Sequence, residues 1–430
     1  MGKRFRYRKG WWRLALPGLG AVIALLIVPF FSGMAADASS ASNLARLDEQ
    51  IKSLRMGDLV VRVVDESGTS VPGVPVHVAQ TRHDFKFGGS LRTDMFQEGF
   101  QEGDRTAYLN TAQRLFNATV PEDALKWYST ESSQGEVSYA DADQILAWSE
   151  QHHMPMRGHH LFWAVDQWNQ PWLKTLSPET LRTAVQQRAI EVCRRYQGRI
   201  TEYDVLNEIL NGDFFQRQLG AGIIAEMFQW CQTSDPTAQL YTNEYNILNE
   251  EQLEQYKQLL QSLLDQNIPV GGIGVQAHLR QTIAPEQMQR ALDALAVFGL
   301  PIKVTEVSVV ADTEAAQAQQ LADLYRVAFA HPAVHGITLW GFWEGSNWEP
   351  RSALFRQNWE PKPAALTYDD LIFRDWWTDE VGTTNDQGEY TAHAFYGDYE
   401  ITLAEQTHPV VSTISMGADD RHAEVTLTLK

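Results

Sequence analysis

Cysteine is nearly absent: Cys193 and Cys231 are the only two in 430 residues. Two thiols build neither a disulfide framework nor a Cys-rich zinc site. They fall in helical stretches on either side of one strand. They could pair across neighbouring helices, but two buried free thiols are the expectation. Basic residues are scarce as well, 35 Lys and Arg against 54 Asp and Glu, for a formal charge of −19. Such a chain lacks the cations that phosphates require, which excludes nucleic acid as a partner. No Gly-rich phosphate loop and no His-Glu-x-x-His helix motif occur, and His152-His153 is expected to end a solvated helix. No metal and no cofactor are expected.

Apolar and aromatic side chains are abundant. Hydrophobic residues make up 44% and aromatics 11%, with 14 tryptophans, enough for a large core and too many for a disordered chain. Trp can fill a core, and it can also stack its flat face on a sugar ring. The balance suits a protein acting on a neutral partner, as a monomer.

The first residues read as an address. Lys3, Arg4, Arg6, Arg8, Lys9 and Arg13 come before any acidic residue, Leu14 to Phe31 is uncharged and mostly apolar, and a small, polar stretch follows. That order marks an export signal or membrane anchor over residues 1–36 and places the rest outside the cytoplasm, touching membrane only through this segment if it is uncleaved. Residues 37–57 read as a linker passing into a short helix.

Beyond residue 84, short β-branched runs alternate with longer stretches of helical period. The strand candidates are Phe85–Leu91, Asn117–Asp123, Pro155–Trp163, Glu202–Glu208, Gln239–Asn246, Gly271–His278, Pro301–Val309 and Gly336–Phe342. Between them lie helical patterns such as that from Leu181 to Cys193, with Ser177 placed to cap it and Pro178 at its first turn. Eight such repeats point to an α/β fold, a closed (β/α)8 barrel over residues 84–372. Residues 58–83 and 373–430 alternate like the two parts of a small β-sandwich, expected to pack together with the barrel inserted between them and either to bind polysaccharide or to cover the barrel's base, the structural role being the favoured one.

Chemistry in such a barrel sits at the C-terminal ends of its strands. There the candidates are strongly polar: Glu122-Asp123, His159-His160, Asn207-Glu208, Asn243-Glu244, Gln276, His278 and Glu306. Burying an unpaired carboxylate costs several kcal/mol, so stability alone does not account for this rim. Glu208 and Glu306 end the fourth and seventh strands, on opposite sides of the mouth. Two carboxylates so placed can flank a glycosidic bond, at about 5–5.5 Å for retaining hydrolysis and about 6.5–9.5 Å for inverting hydrolysis.

The motifs carrying these residues resemble those of glycoside hydrolase family 10, the barrel xylanases, in their order along the chain: 121–127 (PEDALKW), 158–163 (GHHLFW), 203–208 (YDVLNE), 240–246 (LYTNEYN), 272–279 (GIGVQAHL), 304–306 (VTE), 338–341 (TLWG) and 361–364 (PKPA). The similarity runs from about residue 85 to 364, and the segment 207–215 is closest to the plant-like branch. The resemblance implies an endo-β-1,4-xylanase acting by double displacement, with Glu208 as acid/base and Glu306 as nucleophile. It implies that Asn207 binds the sugar 2-hydroxyl and His278 orients Glu306. Glu122, Lys126, His159 and Gln276 would hold sugar hydroxyls, Trp340 and Trp348 would stack on the reacting sugar, and Tyr245 would shape the next subsite. Three positions depart from the family pattern: Ala164 for His, Asp123 for Asn and Ser308 for Asp. The first two touch sugar specificity, so a β-glycanase or transglycosylase with another polysaccharide substrate is the alternative. A non-catalytic polysaccharide-binding protein is a third reading, opposed by the presence of both carboxylates.

Overall fold

The computed structural model describes residues 31–97, 100–403 and 410–429. The chain divides into Met1–Ala45 and Arg46–Lys430. The apolar segment read as an address lies outside the described residues except for its end, which enters a helix over Phe31–Arg55. Among the described residues, no helix is long and apolar enough to cross a membrane. The stretch expected to be a linker is thus helical up to Arg55. Its repeated alanines, the best helix formers, outweigh the serines and the single glycine.

Strands β1 (Met56–Val64) and β2 (Pro75–His83) precede the barrel. The barrel staves are β3 (Lys86–Leu91), β4 (Ala118–Pro121), β5 (Met156–Gly158) with β6 (Phe162–Trp163), β7 (Ile200–Asn207), β8 (Gln239–Glu244), β9 (Gly272–Leu279), β10 (Ile302–Val309) and β11 (Val334–Leu339). All pair in parallel. β5 and β6 are one stave interrupted at residues 159–161, and both pair with β7, so eight staves close a ring. Helices fill the spaces between successive staves. The one over Pro178–Arg195 starts as its sequence predicts, with Ser177 Oγ accepting from the Thr180 amide at 3.2 Å. Each sequence-predicted strand corresponds to one stave, with ends that differ by a few residues.

Strands β12 (Asp379–Thr383), β13 (Glu389–Phe395), β14 (Gly397–Leu403), β15 (Val410–Met416) and β16 (His422–Thr428) follow. They join β1 and β2 in two sheets, of order β13-β1-β16 and β12-β2-β14-β15. β1 alternates faithfully, sending Leu59, Val61 and Val63 into a core of their own with Val76, Val78, Ile401 and Leu403. Phe395, Tyr396 and Tyr399 are buried.

The free-thiol expectation is wrong: Cys193 and Cys231 form a disulfide, joining the helices Pro178–Arg195 and Ile223–Ser234. These helices flank β7, and both sulfurs are fully buried, Cys193 on the inward face that the Leu181–Cys193 periodicity assigns to the core. The sequence separation is 38 residues, and closing a loop of that length in the unfolded chain stabilises the fold by about 2–4 kcal/mol. Changing both cysteines to alanine is therefore expected to lower the unfolding free energy by that amount in urea titrations, with reduction of the parent chain giving a similar loss.

Candidate active site

The site begins with backbone departures at two strand ends. Glu208 and Glu306 both adopt left-handed backbone, φ 58° and 54°, at a cost of order 1–3 kcal/mol for a residue with a Cβ. Around Glu306 the register of β10 slips against both neighbours, between Val304 and Val307 on one side and Thr305 and Ser308 on the other. A bulge of this kind re-aims a side chain. Both carboxylates are thereby turned into the mouth of the barrel.

Glu306 is 6% exposed. Its Oε1 accepts from Asn243 Nδ2 at 2.7 Å and its Oε2 faces His278 Nε2 at 3.1 Å. His159 Nε2 stands 3.9 Å from Oε1, and that ring is oriented by Asp204, 2.9 Å from its Nδ1. Asp204 in turn receives two bonds from Arg157, at 3.0 and 2.6 Å. Burial alone would raise the Glu306 carboxyl. His159, the bond from His278 and the charge of Lys126 outweigh it, and the group lies below its ordinary range. Because Glu306 is ionised, His278 Nε2 must donate to it. Trp348 Nε1, which can only donate, lies 3.2 Å from Ser308 Oγ, and Ser308 Oγ lies 3.2 Å from His278 Nδ1. Ser308 therefore completes the relay at the position where the family pattern has Asp.

Glu208 is half-buried. Trp163 Nε1 donates to its Oε2 at 2.8 Å and Gln276 Nε2 to its Oε1 at 3.3 Å. Burial raises its carboxyl above the ordinary range. The bond from Trp163 opposes this and the charge of Glu306 reinforces it. Burial thus contributes more than the charge of Glu306. The two carboxylates are linked through amides: Asn243 Nδ2 also donates to Asn207 Oδ1 at 2.9 Å, and Gln276 Nε2 reaches the same oxygen at 3.4 Å. With its oxygen taken, Asn207 has only its Nδ2 protons to offer a ligand hydroxyl. Gly274 makes this packing feasible, because a Cβ there would stand 2.5 Å from Asn243 Oδ1.

The other sequence-predicted residues gather at the same mouth. Lys126 Nζ lies 4.8 Å from the centre of the Trp163 ring and 5.9 Å from that of Trp340. Trp340 meets His159 edge-on at 5.0 Å, and Trp348 meets His278 at 4.8 Å. Glu122 is buried and accepts from Arg92 at 3.0 Å. Asp123 accepts from Lys126 at 3.3 Å and from the Tyr128 hydroxyl at 2.9 Å, so the acid at this position holds the cation that lies over Trp163. Tyr245 is half-buried and close enough to Glu208 for that charge to raise its phenol, after burial itself. His160 parts company with His159: it is buried against Trp163, and neither ring nitrogen finds a partner among the described residues. Among those residues no group of three His, Cys, Asp or Glu could hold a metal ion. Two cavities of about 420 and 450 Å³ lie away from this chemistry; the first opens among Lys86, Glu202, Lys303 and Arg55 at the other end of the staves.

Sequence reasoning placed Asn243 and Glu244 among the polar strand ends without a role, and gave none to Asp204 or Trp163. All four stand inside quoted motifs, but nothing in sequence shows which neighbour a strand-end side chain will reach. Glu244 is fully buried behind Glu208, accepting from the Leu210 amide at 3.0 Å and Asn211 Nδ2 at 3.2 Å.

The model of the family described as "Glycosyl hydrolase family 10" matches residues 79–370. Endo-1,4-beta-xylanase 3 of Arabidopsis thaliana is 33% identical over 89% of this chain and 51% of its own length. Anti-sigma-I factor RsgI6 of Acetivibrio thermocellus is 33% identical over 83% of this chain and 46% of its own. The chain thus spans about half the length of the curated relatives it matches. The crystal structure of xylanase 10B from Thermotoga petrophila RKU-1 in complex with xylobiose superposes with a TM-score of 0.63 at 23% identity, covering 68% of this chain and 94% of that one. At that identity the likeness speaks to the fold.

Burial pushes the Glu244 carboxyl up from 4.5 to about 8. An acid raised in the folded state keeps its proton there while the unfolded chain releases it, so stability falls as pH rises from near 4.5 and levels off above 8. Glu244→Gln removes that dependence. Across pH 5–8 the parent is expected to lose up to about 1.4 kcal/mol per pH unit relative to the variant. Parallel melting curves with the same slope against pH would refute it.

Proposed function

The chain belongs to glycosyl hydrolase family 10, and we propose that it is a retaining endo-1,4-β-xylanase with Glu306 as nucleophile and Glu208 as acid/base. The observation that carries this reading is the opposite electrostatic bias of two carboxylates at one barrel mouth, Glu306 held below its ordinary pKa and Glu208 above it. Such a split assigns an ionised attacker and a protonated donor at one pH.

In the first step Glu306 attacks the anomeric carbon and forms a glycosyl-enzyme bond, while Glu208 passes its proton to the departing oxygen. Glu208, now ionised, takes a proton from water. That water attacks the same carbon and releases Glu306, restoring both groups. His278 and Asn243 stabilise the carboxylate before attack and after release. Asn207 offers its amide protons to the sugar 2-hydroxyl, while Lys126, Glu122, His159 and Gln276 hold hydroxyls around the reacting ring. Trp340 and Trp348 supply the walls, and Tyr245 shapes the neighbouring subsite. The names of the plant relatives support xylan as substrate. The buried Ala164 and the ionic Asp123 favour, as a second reading, another β-glycan as substrate; release of reducing ends from a polysaccharide panel decides between them.

The Cys193–Cys231 disulfide supports an extracytoplasmic location, in keeping with the basic and apolar start of the chain. The two flanking sheets serve a structural role, covering the barrel's base through Asp84, Arg55 and Tyr396.

Early products followed by NMR should carry the β anomer, as retention requires; α products from the outset would end the double-displacement reading. Glu306→Ala should lose nearly all turnover while still binding xylan, and azide should then yield an inverted glycosyl azide. The pH profile of kcat/KM should be bell-shaped, with the acid limb set by Glu306 below the ordinary carboxylate range and the alkaline limb by Glu208 above it. Glu208→Ala assayed with an activated phenolate leaving group should lose the alkaline limb alone.

A further inference from the structure

Among the described residues, only two tryptophans stand among the large, well-exposed apolar side chains: Trp348 at 45% and Trp168 at 44%. Trp348 lies against His278 beside Glu306. Trp168 occupies the matching station on the acid/base side. Its ring stacks on Trp163 with centres 4.8 Å apart and planes 10° from parallel, and Trp163 Nε1 is bonded to Glu208.

Trp163 is half-buried, and both faces of its ring carry neighbours. A parallel ring at that distance covers one face. The ammonium of Lys126 stands 4.8 Å from the ring centre, which places it over the other. His160 meets the ring at a steep angle at 5.0 Å, and the N–H is spent on Glu208. The aromatic surface this wall can offer is therefore the outer face of Trp168. Tyr128 continues it, 6.5 Å away and tilted by 34°, with its hydroxyl anchored on Asp123. The loop is pinned: Asn169 Nδ2 donates to the carbonyls of Trp163 and Val165, both at 2.9 Å, and Gln170 Nε2 to that of Glu131 at 2.9 Å. A platform held this way loses little freedom when a ligand docks.

From this juxtaposition we infer that Trp168, with Tyr128 at its side, is a sugar-binding platform outside the cleavage point, taking a further pyranose of the same glycan chain on its exposed face. The inference rests on the glycan-hydrolase reading and extends it to a specificity-determining residue that the quoted motifs do not contain. A pyranose presents an apolar C–H face suited to an indole, and a platform continuous with Trp163 lies one side chain from the reacting carboxylate. Packing support for Trp163 is the competing role, and the two differ in their dependence on substrate length.

The test compares the full chain with Trp168→Ala and Trp168→Tyr on xylo-oligosaccharides of increasing length and on an aryl xylobioside. For Trp168→Ala, kcat/KM on the longest chains should fall about tenfold, mainly through KM, with a loss that shrinks as the substrate shortens. Trp168→Tyr should recover most of it. Binding of xylohexaose to the Glu306→Ala chain, with and without Trp168→Ala, reads the same difference without turnover. Equal losses at every length would assign Trp168 to supporting Trp163 and overturn the platform, as would no loss at any length. An inactive parent that binds no xylo-oligosaccharide would instead defeat the xylan reading, and the platform's ligand with it; an active parent indifferent to Trp168 defeats the platform alone.

Discussion

The charge buried on Glu306 governs the architecture of the barrel mouth. An ionised carboxylate at 6% exposure is too costly to stand without partners, since the Born penalty in a protein interior remains several kcal/mol after relaxation. Each oxygen is therefore met. Asn243 and His159 face Oε1, and His278 faces Oε2. The partners need partners of their own. Asp204 and Arg157 orient His159, Thr305 donates to Asn243 Oδ1 at 2.6 Å, and Ser308 and Trp348 complete the contacts of His278. These groups come from successive staves, so the ring must close before the charge can be held. The same burial that threatens stability replaces the carboxylate's solvation by fixed dipoles and cations, which is the environment the proposed nucleophile requires.

The second carboxylate is treated in the opposite way. Glu208 has one strong donor in Trp163, a longer contact to Gln276 and no adjoining cation at bonding distance among the described residues. Behind it lies Glu244, buried and bonded to the turn that follows Glu208. An ionised Glu244 would repel the charge on Glu208. A protonated one fixes Leu210 and Asn211 without adding charge. The bias between the two candidate groups thus comes from the number of cations each stave brings, with burial common to both. Lys126 illustrates how placement decides this: its ammonium, which lies over Trp163, lowers the Glu306 carboxyl and is not among the groups that shift Glu208.

Much of this was legible in the sequence because barrel staves announce themselves twice. Their interiors are apolar runs of fixed spacing, and their C-terminal ends switch abruptly to acids, amides and histidines. That switch places Glu208, Glu306, Asn207, Gln276 and His278 at one rim. Pairing within the rim was not legible. The bulge at Glu306 follows from the register of three strands, and no local pattern encodes it. Glu244 and Asn243 look alike in a strand-end motif, yet alternate side-chain directions send one behind Glu208 and the other across to Glu306. The disulfide was missed for a related reason: the sequence puts both cysteines on helices flanking one strand, but the approach of one helix to another is a tertiary quantity. Composition likewise could not separate stacking tryptophans from packing ones, and Trp343, fully buried against Trp359, shows how common the packing kind is.

The far end of the barrel shows what the mouth was spared. There Arg55 donates to the carbonyls of Phe329, His331 and Val334 at the end of the helix Glu314–Ala330, and Lys303 pairs with Glu202 at 3.0 Å. The backbone of Tyr396 bonds to Arg55 and Asp84, and His83 reaches the Ile372 carbonyl at 3.0 Å. Helix carbonyls and strand starts are thus satisfied by Arg55 at the end of the first helix, by the Lys303–Glu202 pair on the staves themselves and by His83 of β2, so the base is held without polar side chains from the mouth. A barrel whose base is closed by separate strands can devote its upper rim to groups chosen for chemistry, and strained backbone at Glu208 and Glu306 can persist because the ring below them is held from the other side.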